Sequence, residues 1–193
     1  MEQSGEYRIG ASREAVWAAL NDPDVLGACI EGVQHVTKID DEHFDVSVKA
    51  KVGPVSATFQ AALTLSDLNP PASYVIQGNA KGGAAGFAKG SATVNLEEEA
   101  QGVTLLRYGV NANVGGKLAQ VGSRLVEGAA RKMADDFFAA FSLKLDPNAA
   151  VGEAHTGTED GSKQAAPVTE SSGQWIIWAI AFGVLALAVI LTI

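Results

Sequence analysis

Few residues in this chain have the type and spacing to do chemistry. There is one cysteine, Cys29, so a disulfide framework, an iron–sulfur cluster and a cysteine-based zinc site within the chain are excluded. Beside Ile30 it reads as a small buried hydrophobe rather than a nucleophile. The three histidines, His35, His43 and His155, are too scattered to suggest a metal cluster. Neither a GxSxG nor an HExxH pattern occurs, and no Ser–His–Asp spacing stands out. The acidic runs Asp40-Asp41-Glu42 and Glu97-Glu98-Glu99 read as solvated turns, and Asp135-Asp136 as a partly solvated helix face. Lys81–Gly90, KGGAAGFAKG, has the glycines of a phosphate loop. Strand-like residues follow it where a phosphate site needs a helix N-terminus, so it reads as a flexible hairpin. Phe87 at its end is either a lid or a core plug, with the plug favoured. Tyr108 is left: a hydroxyl on an apolar strand face, able to orient a carbonyl but not to make an enzyme alone.

Those residues sit in a chain of 193 residues that is 47% hydrophobic, enough to build a core. Its formal net charge of -8 argues against nucleic-acid binding, which draws its affinity from basic surface. Ser12 caps a short helix carrying Val16, Trp17 and Leu20, which Asn21-Asp22-Pro23 ends. Alternating apolar positions then predict strands at 44–52, 55–65, 74–81, 88–96 and 103–114, with turns at Gly53-Pro54 and Asn69-Pro70-Pro71. In the last strand Leu106, Tyr108, Val110, Ala112 and Val114 share a face. Leu118, Val121, Leu125, Ala129, Met133 and Phe137 recur at helical steps and predict one long helix over 117–144. The fold class is α+β: a curved antiparallel sheet closed by a long C-terminal helix.

Small residues are abundant where helix and sheet should meet: Ala50, Ala57, Ala61, Ala88, Gly90, Ala92 and Ala112 on the strands, Gly122, Gly128, Ala129 and Ala130 on the helix. Either the layers approach closely or a space remains between them.

Domain organisation follows from composition. Residues 1–145 form the folded unit. Residues 146–174 are small, polar and acidic with two prolines, and read as a flexible linker containing His155. Residues 175–193, WIIWAIAFGVLALAVILTI, carry no charge and have the length of a bilayer-spanning helix, with Trp175 and Trp178 at one end. Met1–Gly10 has neither a basic region nor an apolar run, so no secretory signal is expected. The expected arrangement is a single-pass, tail-anchored protein of the cell membrane with its domain on the cytoplasmic side.

The start of the chain with Trp17 and NDPDVLGACIEG, the segment KGGAAGFAKGSATVNL, and VNANVGGKLAQVGSRLVEGAARKMADDFF together resemble the G-subunit family of carbon monoxide dehydrogenase. Where many members have Ile-Pro-Gly, this chain has Ile30-Glu31-Gly32. The resemblance implies the helix-grip fold of the START-like superfamily, with an apolar tunnel between helix and sheet. It also implies an accessory protein of a carbon monoxide dehydrogenase or related molybdenum hydroxylase, not itself an enzyme. Joined to the tail, this gives an expected function. The domain takes a respiratory isoprenoid quinone, menaquinone or ubiquinone, from the membrane and presents it to the dehydrogenase. Phe59, Phe87, Tyr108, Leu118, Val121 and Leu125 are the expected lining, and Gly122→Phe the expected way to fill it. The alternative is a passive anchor that recruits the dehydrogenase without a ligand. An enzyme acting on a hydrophobic small molecule would need an acid, base or nucleophile in the cavity, and none can be named.

Overall fold

The computed structural model describes residues 1–100 and 102–146. Strand β1 (Glu2–Ile9) opens the chain, followed by helices α1 (Arg13–Leu20) and α2 (Pro23–Cys29). Six strands follow: β2 (Val33–Lys38), β3 (His43–Val52), β4 (Val55–Asn69), β5 (Ser73–Lys81), β6 (Phe87–Ala100) and β7 (Val103–Gly115). Helices α3 (Lys117–Gln120) and α4 (Ser123–Leu145) end it. The strands form one antiparallel sheet in the order β1-β7-β6-β5-β4-β3-β2. The two short helices therefore carry the chain from one sheet edge to the other.

Local chemistry sets these boundaries. The Ser12 hydroxyl accepts from the Ala15 N–H at 3.3 Å at the start of α1. Asp22 accepts from the Asp24 and Val25 N–H groups at the start of α2, where Pro23 occupies the first turn without a lost donor. A two-residue turn joins β3 to β4 with Val52 opposite Val55, and Gly53 takes a positive φ there.

Three sequence expectations change. The edge strand β2 has no counterpart among the expected strands: its alternation is broken at Gln34, where the register with β3 shifts between Val33 and His35. The expected continuous helix over 117–144 is two helices, because Gly122 adopts φ +98, a left-handed backbone that ends α3 and starts α4 afresh. The hairpin at Lys81–Gly90 contains a single 3-10 turn at Gly83–Ala85.

The core lies between the concave sheet face and α4, whose Val126, Ala130, Met133, Phe137 and Phe141 point inward. Burial of Phe141, fully removed from solvent, contributes about 1.5–3 kcal/mol. Among the described residues no helix is long and apolar enough to cross a membrane. Residues 147–174 of the expected linker, with His155, and the expected span 175–193 lie outside the described residues.

Candidate functional site

An apolar cavity of about 130 Å³ lies between sheet and helices. That is roughly ten times the space one water needs on the same measure. The sheet contributes Phe44, Leu63, Leu65, Ile76, Val94 and Leu106, inward-facing on strands β3 to β7. The helical wall is Met133, Ala134, Phe137 and Phe138 of α4, and Leu20, Leu26 and Ile30 from the α1–α2 segment close the side. The lining is almost wholly apolar, with hydroxyl-bearing side chains only at Tyr74 and Tyr108.

The two tyrosines differ in their surroundings. Tyr74 is 4% exposed and meets Trp17 of α1 edge-to-face, centroids 5.2 Å apart. Burial alone pushes its phenol pKa up, so it stays neutral. Tyr108 is half-buried, stacked 6.0 Å from Tyr7 and 5.9 Å from Phe138. Gln3 Nε2 donates to its hydroxyl at 3.4 Å. Burial raises its pKa, and hydrogen bonding with Tyr7 and Gln3 opposes that rise. The Tyr7 ring lies 4.1 Å from Phe138, and its hydroxyl donates to Asp135 Oδ1 at 2.7 Å. Burial first, then that hydrogen bond, hold the Tyr7 proton in place. Tyr108 of the cavity wall thus belongs to a polar series with Gln3, Tyr7 and Asp135, which do not themselves line the cavity.

Of the expected lining, Tyr108 borders this cavity, while Phe59, Phe87, Leu118, Val121 and Leu125 lie elsewhere. Phe59, 1% exposed, fills the opposite end of the interface: a Cβ added at Gly82 would fall 2.4 Å from its ring. Leu118 is fully buried, and Val121 packs beside Gly53. Leu125 is 56% exposed. Phe87 is neither plug nor cavity wall: it is 42% exposed and its ring lies over Gly115. A side chain at Gly122 would point into open space on a strained backbone, so Gly122→Phe would not fill the interior. These residues gather at the hairpin end, whereas the cavity lies toward α1, α2 and the C-terminal half of α4.

The lining residues that the sequence reading missed had a visible signal. Along β3, β4 and β6, alanines are concentrated among the inward residues of the hairpin end, beside Val52 and Phe59, and Phe44, Leu63, Leu65 and Val94 stand at the other. Small residues mark the closely packed half, and large ones hold the layers apart. Ala50 pairs with Ala57, Ala61 with Ala80, Ala80 with Ala88, and Gly90 with Ala112, all in that half.

The other chemical candidates carry no site. Cys29 is buried and its thiol pKa is raised by burial. Among the described residues no group of three His, Cys, Asp or Glu side chains is placed to hold a metal ion. Asp40 serves its own turn, accepting from the N–H groups of Glu42 and His43.

A curved seven-stranded antiparallel sheet gripping a long C-terminal helix, with an apolar cavity between them, defines a START-like fold. The chain belongs to the CoxG family, the G-subunit family of carbon monoxide dehydrogenase, whose model matches residues 5–146. A conserved protein from Geobacillus kaustophilus is 27% identical, with a TM-score of 0.71 over 76% of this chain and 96% of that one. A START superfamily protein from Mycobacterium smegmatis is 12% identical, with a TM-score of 0.59 over 76% of this chain and 97% of that one. The Zhui aromatase/cyclase from Streptomyces sp. R1128 is 14% identical, with a TM-score of 0.57 over 76% and 93%. The last two likenesses concern the fold alone. No functionally curated protein matches the chain.

Proposed function

We propose that this protein is a membrane-tethered carrier that accepts the head of a respiratory isoprenoid quinone in its cavity and presents it to a carbon monoxide dehydrogenase or related molybdenum hydroxylase. The observation that carries this reading is the cavity: set between helix and sheet, apolar, and lined on one side by Tyr108. An apolar cavity of about 150 Å³ stays dry and takes a benzene-sized guest. A space of about 130 Å³ therefore suits a ring and the first part of a chain, not a whole polyprenyl tail. In this reading the ring enters, Tyr108 donates to a quinone carbonyl, and the tail remains outside the core. The tether is the apolar segment 175–193, and the partner follows from the family. In this reading electron transfer takes place in the enzyme.

The test is lipid-extract mass spectrometry on the full chain purified from its native membrane in mild detergent. A quinone at near-stoichiometric amount in the parent and absent from Ala92→Phe is the expected result, because Ala92 lines the cavity. A folded parent that carries no quinone, or equal retention in both proteins, would sink the carrier reading. In that case the protein is a passive anchor for the dehydrogenase.

A further inference from the structure

Charge in the folded domain is sorted by end. Acidic residues are absent from 46–66, 68–96 and 100–126. Those stretches run to and from the end of the sheet that holds the Gly53-Pro54 turn, the Gly82–Gly86 turn and the α3–α4 junction; Glu2, opposite Asn111, and Glu127, one helical turn after Arg124, border it. The same stretches bring Lys49, Lys51, Lys81, Lys89, Lys117 and Arg124 toward that end. Among the described residues no ion pair is found for Lys49, Lys81, Lys89, Lys117 or Arg124.

The far end is the reverse. Its turns carry Asp40-Asp41-Glu42, Asp67 and Glu97-Glu98-Glu99, and its cations are paired: Arg8 with Glu99, Arg107 with Glu6 and Glu97, Lys38 with Asp41. A chain with a net charge of -8 thus presents one strongly cationic end.

Apolar side chains project from that cationic end. Phe87, 42% exposed, is the cross-strand partner of Lys81 and lies two residues from Lys89 on the same outer face. Leu125, 56% exposed, follows Arg124 and borders the Gly53 turn. At the far end the exposed Ile39 and Leu68 adjoin Asp40 and Asp67 instead. Cations around protruding apolar side chains match an anionic lipid surface: phosphates meet the ammonium groups while the apolar tips enter the headgroup layer.

We propose that the hairpin end docks the domain onto an anionic lipid bilayer, with Lys81, Lys89, Lys117 and Arg124 on the headgroups and Phe87 and Leu125 inserted between them. This needs neither a ligand nor the apolar tail. The docking end is the closely packed one, so docking orients the domain rather than feeding the cavity.

The test uses the full chain with vesicles of phosphatidylcholine alone or phosphatidylcholine with phosphatidylglycerol. Flotation on phosphatidylcholine alone reads the tail. Hydrogen exchange of residues 82–90 and 115–126 reads the dock. The expected result is protection of both segments on phosphatidylglycerol vesicles only, lost at high salt and in Lys81→Glu/Lys89→Glu. If the tail fails to insert, phosphatidylglycerol-dependent flotation replaces protection as the readout, weakening about fivefold for each cation removed. Equal exchange on both vesicle types, or equal flotation on both where the tail does not insert, overturns the proposal. So does protection that appears only when the dehydrogenase is added, which would make this end a protein-docking surface. The salt dependence is measured on the unaltered protein, so the outcome does not hinge on a variant folding.

Discussion

The two ends of the helix–sheet interface are built from the same elements yet pack in opposite ways. At the hairpin end, Ala50, Ala61, Ala80 and Ala88 let the sheet come close to the α3–α4 segment, and Phe59 and Leu118 fill what is left. At the other end Phe44, Leu65, Tyr74, Phe137 and Phe138 face one another across a cavity. Bulky side chains hold the layers apart there, and rigid rings cannot fill every gap between them. Close packing is therefore a property of small residues here, and open space a property of large ones.

The sharpest way to break this contrast is to add atoms at the crowded end. A Cβ at Gly86 would stand 2.0 Å from the Gly115 carbonyl oxygen, on a backbone with φ +112. Overpacking and left-handed strain act together there, so Gly86→Ala is expected to cost about 3 kcal/mol or more. Urea unfolding checks this. A midpoint within error of the parent would mean the two turns do not cross closely.

A matched pair of substitutions compares the ends directly. Ala80 is fully buried in the packed half, and Ala80→Leu is expected to cost about 1–3 kcal/mol. Ala92 is also buried but lines the cavity, and Ala92→Leu has room to enter it. The expected change is between none and a gain of about 1 kcal/mol. Equal losses at both positions would show that the cavity closes in solution.

Polar contacts at the cavity border matter less for stability. Tyr7→Phe removes the hydrogen bond to Asp135 and leaves the stacking on Phe138. Its expected cost is about 1 kcal/mol, read by the same unfolding curve.

Much of this contrast was legible in the residues, and the unread part has a physical cause. Period-two alternation identified five of the strands, because one face is buried and the other solvated. The abundance of alanine was visible too, but its meaning was not. Composition shows that a helix and a sheet can approach, while only register shows which residues stand opposite which. Ala61 lies beside Ala80, and Ala80 beside Ala88, across strands separated by turns. Tyr108 could be assigned to the cavity because it lies midway along an inward face. Phe59 and Leu118 share such faces but belong to the closed end. Phe87 follows the alternation outward, its neighbour Ala88 being the one that is buried. Gly122 read as helix because sequence periodicity runs through it, while its backbone does not.

The weakest effect separates the ends by pH. Carboxylates are scarce at the hairpin end, but Glu31 follows the cavity-lining Ile30 and faces Asp136 of α4, with Lys132 nearby. Burial first, and then Asp136, raise its pKa, against the attraction of Lys132. A carboxyl whose folded pKa lies above its unfolded value binds more protons when folded, so its contribution to stability falls as pH rises. The window runs from the ordinary glutamate range up through the raised folded value. Asp40 and Glu99 have lowered values and act with the opposite sign, losing stability as pH falls. The informative quantity is therefore the difference between parent and Glu31→Gln across that window. The variant is expected to gain relative stability as pH rises, then hold a constant advantage once Glu31 is ionised in both states of the parent. A difference that is flat in pH would place Glu31 in open solvent, away from Asp136.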